Sequence, residues 1–84
     1  MGYLYILYSE SSGRFYVGST VDVSERLSRH NAGQHISTMA YRPWKLVYTE
    51  SFNTLVEARR RERKIKSWKN PAYMTKTLGL DPIG

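Results

Sequence analysis

The hydrophobic and polar positions of the chain fall into segments of two periods. Residues 3–8, YLYILY, are aromatic or aliphatic without a breaker, as in a short strand. Turn residues Ser9-Glu10-Ser11-Ser12-Gly13 follow, and RFYVGS at 14–19 predicts a second strand, so the pair reads as a β-hairpin. Thr20 or Asp22 then caps a helix, with Glu25 as capping-box partner of Asp22. It runs to about Asn31 and stops at Gly33, a suitable C′ residue. Residues 34–43 show no period and are expected to form a loop, before a third strand over WKLVYTES at 44–51. Asn53 or Thr54 caps a second helix that runs to about Trp68, because the residue before Pro71 disfavours the α region. A short last helix over 72–78 ends at Gly79. The order ββαβα(α) predicts an α/β fold with a three-stranded, mostly antiparallel sheet and helices packed around it.

The helical wheels place polar groups on apolar faces. Val23 and Leu27 mark the buried stripe of the first helix, and Arg26 and His30 share it, while Arg29 points to solvent. On the second helix Leu55, Ala58 and Ile65 form the apolar face, and Glu62 falls between Leu55 and Ala58. Arg59, Arg60, Arg61, Arg63 and Lys64 lie to its sides or back. A carboxylate on a core-facing stripe costs several kcal/mol unless it is paired or binds a cation. Each placement also has a structural reading. Arg26 and Glu62 would make an internal ion pair, His30 a hydrogen-bonded core residue, and the strand tyrosines ordinary sheet packing. Their convergence in one small chain instead matches the inventory of metal-assisted phosphodiester hydrolysis.

Composition narrows the classes. Eighty-four residues support one domain, expected over 1–84, with a small core. Cysteine is absent, which excludes a disulfide scaffold, a thiolate zinc site and cysteine nucleophile chemistry. No apolar run approaches the ~18–20 residues of a membrane span. The N-terminal MGYLYILYSE carries neither a basic leader nor a cleavage site, so a cytoplasmic location is expected. The net charge of +6 is uneven: residues 1–52 contribute +1 and residues 53–84 contribute +5. Seven of the thirteen bases crowd into residues 59–69, RRRERKIKSWK, which suits a polyanion and is too polar all round for a membrane-surface helix. A merely solvated helix face is the alternative.

Tyr3-Leu4-Tyr5-Ile6-Leu7 and Tyr16-Val17-Gly18 resemble the paired strand motifs of the GIY-YIG nuclease superfamily. VDVSERLSRHNAG resembles its helix carrying Arg26 and His30, and EARRRERKIK at 57–66 resembles its metal-site helix, with Glu62 as the ligand. With RPWKLVYTE, the chain is similar to the small stand-alone bacterial group related to the nuclease domain of the DNA excinuclease. Three positions depart from the pattern: Tyr3 stands for the first Gly, Val17 for Ile, and Ser19 for a lysine. Asn70 lies too near Glu62 to match the family's downstream asparagine and receives no role.

The resemblance implies a metal-dependent DNA endonuclease linked to DNA repair or recombination, with Mg²⁺ or Mn²⁺ on Glu62. It implies Tyr5 as general base, Tyr16 beside the attacking water, Arg26 on the phosphate and His30 as a proton relay. Gly18 would let the backbone pass close to the substrate. Lys45, Arg59, Arg60, Arg63, Lys66 and Lys69 are the expected contacts to the nucleic-acid backbone. The chief rival is a non-catalytic nucleic-acid-binding module of the same fold, binding DNA or RNA without cleavage, with Trp44 and Tyr48 stacking bases. Specificity would come from nucleic-acid shape, a protein partner or a homo-oligomer. His35 is expected to be a solvated loop histidine.

Overall fold

The computed structural model describes residues 1–80. Its elements are β1 (Gly2–Ser9), β2 (Arg14–Thr20), α1 (Val23–Asn31), α2 (Ile36–Met39), β3 (Lys45–Phe52), α3 (Leu55–Lys66) and α4 (Pro71–Leu78). The sheet is antiparallel throughout, in the order β2-β1-β3. The predicted α/β architecture holds, with one addition. The expected loop at 34–43 contains a single helical turn, α2, too short for any sequence period to register.

The central strand explains its own composition. β1 is covered on both faces, so it reads as a continuous apolar run rather than an alternation. Leu4 and Ile6 pack against Ile65 of α3, Met74 of α4 and Leu80. Tyr5 and Leu7 point the other way, against Trp44, with Tyr16, Val23, Leu27 and Tyr41 around them. Two small cores therefore flank one sheet, with α3 and α4 on one side and α1 and α2 on the other.

Local chemistry sets the helix ends. The Asp22 side chain accepts from the Glu25 amide and Thr54 from the Glu57 amide, each relieving one unpaired donor of a first turn. Asn70 accepts from the Ala72 and Tyr73 amides, with Pro71 at the first helical position of α4, so its role is a cap. Gly33 takes φ +78° beyond α1. The Asn31 side chain then binds both backbone groups of Trp44, at 3.0 Å and 2.6 Å, tying the end of α1 to the start of β3. The Trp44 indole N–H donates to the Thr38 carbonyl at 2.9 Å and holds α2 in place. None of the helices among the described residues is long and apolar enough to cross a membrane.

The candidate active site

The site forms where the edge strand β2 meets α1 on one face and α3 on the other. Side chains alternate along β2, so Tyr16 joins the α1 layer while Phe15 and Val17 join the α3 layer. Tyr5 pairs with Gly18 across the hairpin, which sets Tyr5 and Tyr16 diagonally on one face with ring centroids 6.2 Å apart. What lies over the Gly18 Cα is the Tyr5 phenol: a Cβ there would stand 2.5 Å from Oη and 2.6 Å from Cζ. The glycine makes room for Tyr5.

His30 is the only buried residue of α1 and completes this layer. Its Nε2 lies 3.1 Å from the Tyr5 hydroxyl and its Nδ1 2.8 Å from Thr38 Oγ1. Its ring stands 4.7 Å from that of Tyr16 and stacks on His35 at 4.4 Å. His35 is thus half-buried rather than solvated, with an Nε2 that has no partner among the described residues. Val23 and Leu27, the expected buried stripe, are only half-covered.

Arg26, one helical turn before His30, is half-buried. Its positive charge and the negative charge of Glu62 both act on the Tyr5 hydroxyl. Burial raises the Tyr5 pKa well above the usual 10, the Tyr16 phenol adds to this, and Arg26 opposes it. His30 is pushed down to about 4 by burial, then by its neighbours His35 and Arg26. In the resting protein near neutral pH, Tyr5 is a phenol and His30 a neutral imidazole.

Acid should reveal the burial of His30. Its folded pKa of about 4 lies below the unfolded value of 6.5, so the unfolded chain takes up the proton first. This contribution is fully present above pH 6.5 and is lost as pH falls toward 4, by at most about 3 kcal/mol. Denaturant unfolding at pH 7 and pH 4.5 should show a shallower loss for His30→Gln than for the wild type. Equal losses in both would show that His30 is not the group that titrates.

Glu62 approaches from the opposite side of β2. The Ser19 hydroxyl donates to its Oε1 at 2.5 Å and the Lys66 ammonium to its Oε2 at 2.6 Å. Lys66 also reaches to 6.0 Å from the centre of the Tyr16 ring, so the two residues of α3 extend around the sheet edge. Glu62 is half-buried, its side chain 19% exposed. An Arg26–Glu62 ion pair, the structural reading of both residues, is not among the ion pairs of the described residues. Among those residues no three His, Cys, Asp or Glu side chains gather as a metal cage. A partly exposed carboxylate, with Lys66 displaced from its Oε2, would fit a hydrated hard cation, which is commonly held by one or two carboxylates with waters and phosphate oxygens.

The expected contacts to the nucleic-acid backbone divide into two groups. Arg59, Arg60, Arg63 and Lys69 are exposed. Lys45 is exposed but lies 3.6 Å from Glu10, and Lys66 sits on Glu62. Arg61 proves half-buried, clamping both Glu50 oxygens at 3.0 and 3.1 Å, and Tyr48 donates to the same carboxylate. Trp44 is buried. The buried Trp44 ring has no face free for the base stacking expected of it, while Tyr48 is half-buried with its hydroxyl on Glu50. Sequence reasoning misses Thr38 and the charge contact of Lys66. Thr38 lies in the aperiodic segment, and the only signal for Lys66 is the four-residue step from Glu62 on one helix face.

A profile of the GIY-YIG catalytic domain matches residues 1–77. The UPF0213 protein of Streptococcus agalactiae serotype V is 42% identical over 74 residues, 87% of this chain and 83% of that one. The UPF0213 protein of Halobacterium salinarum is 46% identical over 57 residues, 67% of this chain and 74% of that one. A solution NMR structure of a UPF0213 protein from Bacillus halodurans is 36% identical, covering 80% of this chain and 72% of that one with a TM-score of 0.48. The chain belongs to the GIY-YIG family of nuclease-type catalytic domains.

Proposed function

We propose that the protein is a divalent-metal-dependent DNA endonuclease that hydrolyses a phosphodiester bond at the β2 edge. The observation that carries this reading is the meeting of two separate polar groups at one strand: the buried Tyr5–His30 pair with Arg26, and the carboxylate of Glu62. Binding alone needs no buried proton pathway beside a carboxylate.

Arg26 would grip the phosphate and stabilise the charge that develops on it, since its planar fork suits phosphate oxygens. Tyr5 takes the proton of the attacking water. With its pKa raised, the phenol makes a poor free phenolate, so it passes its own proton to His30 Nε2 as it accepts one. Tyr16 borders the same space and packs against the His30 ring. Glu62 would hold Mg²⁺ or Mn²⁺, which supplies charge neutralisation at the phosphate and at the departing oxygen. Lys66 adds a positive charge beside Glu62, where Ser19 stands in place of the family's lysine. The exposed Arg59, Arg60, Arg63 and Lys69 form a flank for the nucleic-acid backbone. Similarity to the excinuclease domain points to DNA repair or recombination, with specificity drawn from DNA shape, a protein partner or a second copy of the chain.

The test is cleavage of plasmid DNA and of single-stranded, duplex, flap and RNA substrates with Mg²⁺ or Mn²⁺. Cleavage of DNA should appear with either ion, vanish with chelator and return when the ion is restored. Binding that weakens with salt, with no cleavage under either metal, would instead establish the non-catalytic module.

A further inference from the structure

The direction of the Tyr5–His30 hydrogen bond depends on which imidazole nitrogen carries the proton, and that nitrogen is set by the bond the other one makes. Thr38 Oγ1 is that partner, 2.8 Å from Nδ1. Its hydroxyl has one proton and two lone pairs. It also stands 3.4 Å from the carbonyl oxygen of His35, three residues earlier and within the same turn, where it donates. With its proton engaged there, Oγ1 accepts from His30 Nδ1–H. His30 Nε2 is then a bare lone pair facing the Tyr5 hydroxyl.

The pair is shielded from water: Tyr5 and His30 are 1% and 0% exposed. Thr38 is held from both sides. It is 1% exposed, and its carbonyl takes the Trp44 indole proton at 2.9 Å while Asn31 fixes the Trp44 backbone.

We infer that Thr38 is a positioning residue that fixes His30 in its Nδ1–H tautomer, so that Nε2 receives the Tyr5 proton during hydrolysis. This role rests on the proposed function for its use in a reaction, but the tautomer itself is a property of the resting protein. In the step, the water oxygen bonds to phosphorus, the P–O bond to the leaving oxygen breaks, and the departing alkoxide takes a proton from solvent water. The water proton goes to Tyr5 Oη, the Tyr5 proton goes to His30 Nε2, and the imidazolium later releases it to solvent.

The experiment is ¹⁵N NMR of the histidine ring nitrogens at pH 7 in the metal-free full-length protein, alongside cleavage kinetics. In the wild type, His30 Nδ1 should show the protonated shift and Nε2 the bare one. Thr38→Ser should keep that pattern, and Tyr5→Phe should keep it too, since Thr38 rather than Tyr5 sets it. Thr38→Val should lose it. In cleavage, Thr38→Val should lower kcat about 10- to 100-fold with KM little changed, and Thr38→Ser should stay within about 3-fold of wild type. A wild-type Nε2–H tautomer overturns the inference, as does an unchanged tautomer in a folded Thr38→Val or a switch in Tyr5→Phe. Should Thr38→Val not fold, the wild-type, Thr38→Ser and Tyr5→Phe spectra decide. Absence of cleavage in the wild type would reject the nuclease reading and leave the tautomer result standing.

Discussion

Glu62→Gln is expected to reduce DNA cleavage by about 10³-fold or more while leaving the fold intact. Losing one preorganised group from a charge-stabilising site costs about 10²–10³-fold, and here the change also weakens the hold on the cation. The amide occupies the same volume and its oxygen still accepts from Ser19. What it loses is the pair with Lys66, whose side chain is 52% exposed and one helical turn away. Pairs of that kind contribute about 0.3–0.5 kcal/mol, so the melting temperature should shift by no more than a few degrees. Single-turnover cleavage at saturating enzyme, with Mn²⁺ binding measured by paramagnetic resonance, separates the outcomes. A variant that still cleaves near the wild-type rate would show that Glu62 holds no essential ion, and the site would have to be sought elsewhere.

Gly18→Ala is expected to cost both stability and activity. The backbone at Gly18 is not left-handed, so any penalty is steric rather than conformational. The new methyl would lie 2.5 Å from Tyr5 Oη, well inside contact distance, and Tyr5 is buried. The phenol must move by about an ångström, and movements of that size near a reacting group cost about 10²-fold. Crowding a packed core costs about 1–3 kcal/mol in addition. Denaturant unfolding and cleavage by the same preparation check both parts. Near-normal cleavage would mean that the position of the Tyr5 hydroxyl is not critical, and would remove Tyr5 as the general base.

Much of the arrangement is legible in the sequence. The hairpin, the capped helices and the third strand follow from short-range signals such as turn residues, a cap and a proline, which act within a few positions of themselves. The inward placement of His30 and Glu62 also follows from helical period, because a side chain on an apolar stripe is carried to the core whatever its chemistry. Arg61 shows where this reasoning stops. Its position on the helical wheel, beside Arg60, implies a solvated residue, yet it reaches Glu50, eleven positions earlier on β3. A long side chain is placed by the partner it finds, and no period encodes a partner on another strand.

His35 and Thr38 mark the same boundary. Their segment has no hydrophobic period, so it reads as loop, and His35 as solvated. The Asn31–Trp44 bonds fold that segment back over α1, which buries Thr38 and stacks His35 on His30. Gly18 by sequence suggests a close approach to substrate, while the structure places the Tyr5 ring above it. A glycine advertises that space is needed without saying which group needs it.

The sequence by itself determined which residues lie on which face of each element, because alternation in strands and the 3.6-residue helical turn are properties of the backbone. It thereby singled out Arg26, His30 and Glu62, to which the family resemblance added Tyr5 and Tyr16, and it concentrated the positive charge beside Glu62. Only the tertiary structure decided which of these touch. It joined Tyr5 to His30 and His30 to Thr38, and it separated Arg26 from a pairing with Glu62, which went to Ser19 and Lys66 instead. Such contacts depend on distances between elements far apart in the chain, set by how the two cores pack on the sheet. A local pattern carries no record of those distances.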